Sequence, residues 1–95
     1  MKLNLQKPLI IFDLETTGLD LVKDRIIQIS YIKVYPDGQE VRVNEIVNPE
    51  RPIAPEITQL TGISNKDVQG KPTFKELAPK LNEAFKGCDF AGFNS

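Results

Sequence analysis

A single cysteine, Cys88, rules out an internal disulfide and a multi-cysteine metal site. It fits a reducing compartment and reads as a small packed side chain. An excess of either charge is also missing: 12 basic against 13 acidic residues leave a formal net charge of -1. No global positive field draws in nucleic acid, so any phosphate contact has to be local. No apolar run approaches membrane-spanning length, and the start "MKLNLQKPLIIF" lacks the apolar core and cleavage site of a secretory signal. A cytoplasmic protein with no membrane partner is the expectation. Internal repeats, low-complexity segments and linker-like stretches are absent, so organisation has to be read from periodicity.

What is there is an ordinary globular composition, 40% hydrophobic and 26% charged over 95 residues, enough for one domain at most. A chain this short removes roughly two thirds or less of its unfolded surface from water. "PLIIFD", 8 to 13, is a continuous apolar run after a proline and predicts a central strand covered on both faces. "RIIQISYIKVY", 25 to 35, and "VRVNEIV", 41 to 47, are rich in β-branched residues and flank the turn chemistry of Pro36-Asp37-Gly38, which predicts an antiparallel hairpin.

Three prolines between 49 and 55 exclude regular strand and lead into a short helix at about 55 to 60. Ser64 with Asp67 and Thr73 with Glu76 have capping-box spacing, and each marks a helix start. Phe74, Leu77, Ala78, Leu81, Ala84 and Phe85 then recur at helical spacing, with Gly87 as the stop. Pro79 conflicts with that helix, which is either kinked there or regular only from Pro79 onward. "CDFAGFNS" reads as a last strand. The order predicts an α/β domain whose fourth strand joins the sheet after a helical crossover.

At the end of the first strand stand two carboxylates, Asp13 and Glu15, in "LIIFDLETTGLD". Ionised carboxylates beside a buried run need partners, solvent or a metal. Strand alternation turns both to one side and Leu14 to the other, with their Cα atoms about 6.6 Å apart at a rise of roughly 3.3 Å per residue. From that spacing they can ligate one hard cation or share two cations about 3.5 to 4 Å apart, as in two-metal phosphoryl hydrolysis. "TTGLD" then offers hydroxyls and backbone N–H groups, and Gly18 allows close approach of a phosphate or sugar. Taken bare, the same residues also describe a solvated strand end and an ordinary turn.

The longer string "FDLETTGLD" after an apolar strand resembles the first motif of the DEDD 3'-to-5' exonucleases, the group that includes the proofreading epsilon subunit of bacterial DNA polymerase III. The resemblance runs on through "DRIIQISYIKV", "IVNPERPIAPEITQLTGIS" and "PTFKELAPKLNEAFKGCDFAGFNS". It implies a ribonuclease H-like mixed sheet with flanking helices, here truncated after the fourth strand. It implies that Asp13 and Glu15 are metal ligands for two Mg or Mn ions, with Asp13 touching both. Leu14, Thr16, Thr17 and Gly18 match residues around the 3'-terminal nucleotide. Leu60, Gly62 and Ile63, in "LTGI", match a loop near the terminal base, while Thr61 replaces a histidine common among relatives. Without the family, "LTGI" is a hydrophobic helix end and a glycine turn. Asn94 matches the asparagine that opens the second motif, and is otherwise a strand-end turn residue. The implied partners are a single-stranded DNA or RNA 3' end and a DNA polymerase subunit.

The family pattern then breaks. The aspartate of the second motif and the base and last aspartate of the third have no counterpart in a chain that ends at Ser95 and contains no histidine; Tyr31 and Tyr35 lie in an early strand. The expectation is the N-terminal part of one exonuclease domain, residues 1–95, with little or no activity by itself. The competing reading, a non-catalytic module that binds a polymerase or a nucleic-acid end, gives no physical reason to keep paired acids at a buried strand end. A ribonuclease differs only in contacts to the 2'-hydroxyl.

Overall fold

The computed structural model describes residues 5–18 and 25–93. Four strands form one mixed sheet in the order β3-β2-β1-β4: β1 (Leu9–Thr16), β2 (Ile26–Val34), β3 (Glu40–Ile46) and β4 (Asp89–Phe93). β1 pairs antiparallel with β2 and parallel with β4, so it is central, as the apolar run implies. The predicted hairpin forms across Pro36–Gly38, with Gly38 at φ 91 and its N–H donating to the Tyr35 carbonyl at 2.9 Å. The connection from β3 to β4 contains the helices α1 (Pro55–Thr61), α2 (Asn65–Val68) and α3 (Phe74–Phe85).

Both capping boxes form. The Ser64 hydroxyl accepts from the Asp67 N–H and Asp67 accepts from the Ser64 N–H; Thr73 and Glu76 do the same for α3. α3 runs unbroken through Pro79, so its regular part begins at Phe74 and not at the proline. Pro79 and Lys75, whose carbonyl loses its helical partner, are both exposed, so water can satisfy that oxygen. Gly87, just past the helix, takes the left-handed conformation at φ 71.

The core lies on one face of the sheet. Ile10 of β1 and Ile29 and Tyr31 of β2 pack with Leu77 and Leu81 of α3, and Phe12, Leu14, Phe85 and Cys88 close around them. Cys88 is thus a partly buried packing residue, as expected. A second cluster, Ile27, Ile53, Ile63 and Val68, anchors α1 and α2 at the end of the sheet. The expectation that β1 is covered on both faces is not met among the described residues. Ile11 and Ile32, on the face away from α3, stay half-exposed and line an open hollow of about 330 Å³ with Asp13, Ser30 and Arg42. An apolar run records burial of alternate residues and cannot specify what lies over the others.

Candidate functional site at the end of the central strand

β1 does not stop at Asp13. It continues to Thr16, so Thr16 belongs to the strand and not to the following turn. Pairing with β2 sustains it: Asp13 stands opposite Ser30 and Glu15 opposite Gln28, and the register slips only between Glu15 and Thr16. Alternation within this paired segment turns Asp13 and Glu15 to the face away from α3, while Leu14 lines an apolar hollow on the α3 face. Both carboxylates are half-buried.

Across the strands, the row of side chains on the carboxylate face is polar. The Gln28 side-chain amide donates to Asn44 Oδ1 at 2.8 Å, and the Ser30 hydroxyl donates to the same atom at 3.2 Å. Asn44 therefore fixes the two residues that stand opposite the acids. Sequence reading missed Ser30 and Gln28, because register depends on pairing between distant segments. Hairpin length was the one available signal.

Beyond the strand, the Thr16 hydroxyl donates to the Gly18 carbonyl. The Thr17 N–H donates to the Arg25 carbonyl at 2.8 Å, and the Arg25 N–H donates to the Thr17 hydroxyl oxygen at 2.9 Å. The chain leaving the carboxylates is thereby tied to the start of β2. α1 ends at Gly62, left-handed at φ 79, whose N–H donates to the Thr58 carbonyl. The "LTGI" loop divides its labour: Ile63, 6% exposed, is packed in the second cluster, whereas Leu60 is 81% exposed. Ile63 packs in the cluster that holds Ile27, the neighbour of Gln28, which ties this loop to the strand opposite Glu15. Asn94 lies outside the described residues.

The donor set is hard oxygen on a shared strand face, the type that suits Mg²⁺ or Mn²⁺. Among the described residues no third His, Cys, Asp or Glu joins these two acids in a metal-binding group.

The exonuclease family model, of the RNase T type, matches residues 10–94, which include both acids. The chain belongs to the exonuclease family. In sequence it is similar to polymerases: it is 36% identical over 92 residues to the PolC-type DNA polymerase III of Caldanaerobacter subterraneus subsp. tengcongensis, covering 97% of the chain and 7% of the polymerase. With the PolC-type DNA polymerase III of Latilactobacillus sakei it shares 40% over 86 residues, covering 90% of the chain and 6% of the polymerase. The chain thus spans under a tenth of these relatives. In fold it resembles the exonuclease I of Methylocaldum szegediense, with 25% identity and a TM-score of 0.76 over 90% of the chain and 20% of that enzyme. It likewise resembles E. coli exonuclease I crystallised with a dT13 oligonucleotide, with 19% identity and a TM-score of 0.76 over 93% of the chain and 20% of that enzyme. The ribonuclease H-like mixed sheet expected for an exonuclease is therefore the fold observed.

Proposed function

We propose that these residues form the first part of a 3'-to-5' exonuclease domain that removes nucleoside monophosphates from single-stranded DNA or RNA 3' ends. The observation that carries this reading is the projection of Asp13 and Glu15 from one face at the end of the central strand, in a chain of the exonuclease family. Asp13 and Glu15 would hold two divalent cations, Mg or Mn, which when bound supply Lewis-acid activation of a water and of the scissile phosphodiester. Leu14 offers an apolar surface, and Thr16, Thr17 and Gly18 offer hydroxyl and backbone groups, to the terminal nucleotide. Leu60 stands free to meet its base, Gly62 sets the turn beside it and Ile63 anchors that loop. Asn94 would stand at the start of the second motif, and the remaining carboxylates and the base would come from residues following Ser95.

Similarity to PolC-type polymerases supports a proofreading role beside a replicative DNA polymerase in the cytoplasm. The test is Mn²⁺-dependent release of nucleoside monophosphates from a labelled single strand, comparing this chain with one extended at its C-terminus. Activity is expected in the extended protein alone, falling on the order of a thousandfold or more in Asp13→Ala. A folded extended protein without activity would instead favour a nucleic-acid-end or polymerase-binding module.

A further inference from the structure

The face of the sheet that carries the acids changes character along β1. The row of paired residues that crosses the strands at Ile11 continues through Ile32 to Arg42, and its first two members are apolar. The next row on that face is Asp13, Ser30 and Asn44, and the one after it is Glu15, Gln28 and Ile46. On β2, polar side chains thus begin on this face where the acids begin.

This polar group is organised around one atom, Asn44 Oδ1, which accepts from both the Gln28 amide and the Ser30 hydroxyl. Ser30 stands opposite Asn44 in the ladder, and Gln28 reaches it across the diagonal, a separation that a long side chain spans. Asparagine is disfavoured in strands, and hydrogen bonds between solvent-accessible side chains add little to stability, so the fold gains little from the arrangement. Its effect falls on the two donors. The Ser30 hydroxyl has its single hydrogen committed to Asn44 and offers lone pairs to any further partner. Gln28 is held by one N–H and keeps its amide oxygen and a second N–H.

A hard cation of the Mg²⁺ type held by one or two carboxylates keeps several of its waters, and those waters donate hydrogen bonds outward. Fixed polar partners beside them hold the geometry of such a site and set its affinity. We infer that Asn44 is a positioning residue for the cation site: its Oδ1 holds the Gln28 amide and the Ser30 hydroxyl ready to bond the waters around a cation bound by Asp13 and Glu15. The inference rests on the exonuclease reading only in taking those two acids as the cation's ligands.

The test reads affinity and not hydrolysis. Mn²⁺ is titrated into the chain and the free ion is followed by its electron paramagnetic resonance signal, with urea unfolding run beside each variant to show that it is folded. Asn44→Val removes the acceptor and puts a strand-favouring residue in its place, and it is expected to weaken Mn²⁺ binding about tenfold or more. The double variant Gln28→Met with Ser30→Ala should lose a similar amount, and adding Asn44→Val to it should cost no more, because the three side chains act as one unit. Asn44→Asp keeps the accepting oxygen and should bind at least as tightly as the unaltered chain. Binding by Asn44→Val within about twofold of the unaltered chain, with Asp13→Ala greatly weakened, would overturn the inference and leave the exonuclease reading standing. Equal binding by Asp13→Ala and the unaltered chain would overturn the reading of the acids themselves, and this inference with it.

Discussion

Asp13 and Glu15 owe their common direction to the one residue between them, and their surroundings to the strand opposite. Ser30 and Gln28 face them across the β1–β2 ladder, and Asn44 accepts a hydrogen bond from each. If the acids hold cations, binding stabilises the folded chain by about 1.4 kcal/mol at ten times Kd. For a domain of this size that is a rise in Tm of roughly 5 °C or more. Differential scanning fluorimetry should show the rise with Mn²⁺, its reversal by EDTA and its absence in Asp13→Ala. No shift in the unaltered chain would count against the metal role. The acids were legible in the sequence because alternation is local; Ser30 and Gln28 were not, because register is settled between residues some fifteen apart.

At the level of elements, local signals were the reliable ones. Both capping boxes, the hairpin turn and the glycine stop of α3 formed as their residues specify, since each is decided within a few residues. The end of β1 was misjudged, because polar residues after Phe12 resemble a terminus until β2 pairs with them through Thr16. Thr73→Ala should cost about 1 kcal/mol of stability in urea unfolding. The capping hydrogen bonds from Ser64 and Thr73 hold the Asp67 and Glu76 carboxyls below their ordinary values of 3.8 and 4.5. Because the folded-state values are the depressed ones, this contribution is fully present above the ordinary values and is lost as pH falls through the lowered ones. Unfolding followed from pH 6 into the acid range should show that loss, and Ser64→Ala with Thr73→Ala, which remove the hydroxyls but keep the backbone N–H donors that lower the carboxyls most, should flatten only part of it. β4 depends on close approach: a Cβ on Gly92 would lie 2.8 Å from the Phe12 ring. Gly92→Ala is expected to destabilise by about 1–3 kcal/mol. Phe12→Leu in the same chain should recover part of the loss, and a neutral Gly92→Ala would show that the ring turns aside freely.

The molecule as a whole is less compact than its length allows. Its radius of gyration is 14.6 Å, against about 12–13 Å for a close-packed chain of this size. β4 is an edge of the described sheet, with Phe90, Ala91 and Gly92 exposed, and α3 covers one sheet face. Such an edge is a template for pairing with another chain. Sedimentation velocity should show concentration-dependent association, reduced in Ala91→Lys; a monomer at every concentration would refute this. An open sheet edge that promotes association is what the sequence itself leads one to expect, because the family pattern breaks after the fourth strand; composition alone reports how much apolar surface exists and not which part of it is met.

Leu14 stands between the two acids and points the opposite way, and this has a consequence for how the chain finds its fold. A slip of β1 by a single residue against β2 would turn both carboxylates toward Leu81 and Phe85 and push Leu14 into water. Charge forced into that interior costs several kcal/mol for each group. The pair that equips the domain for chemistry therefore also proofreads its own strand alignment, long before any nucleic acid arrives.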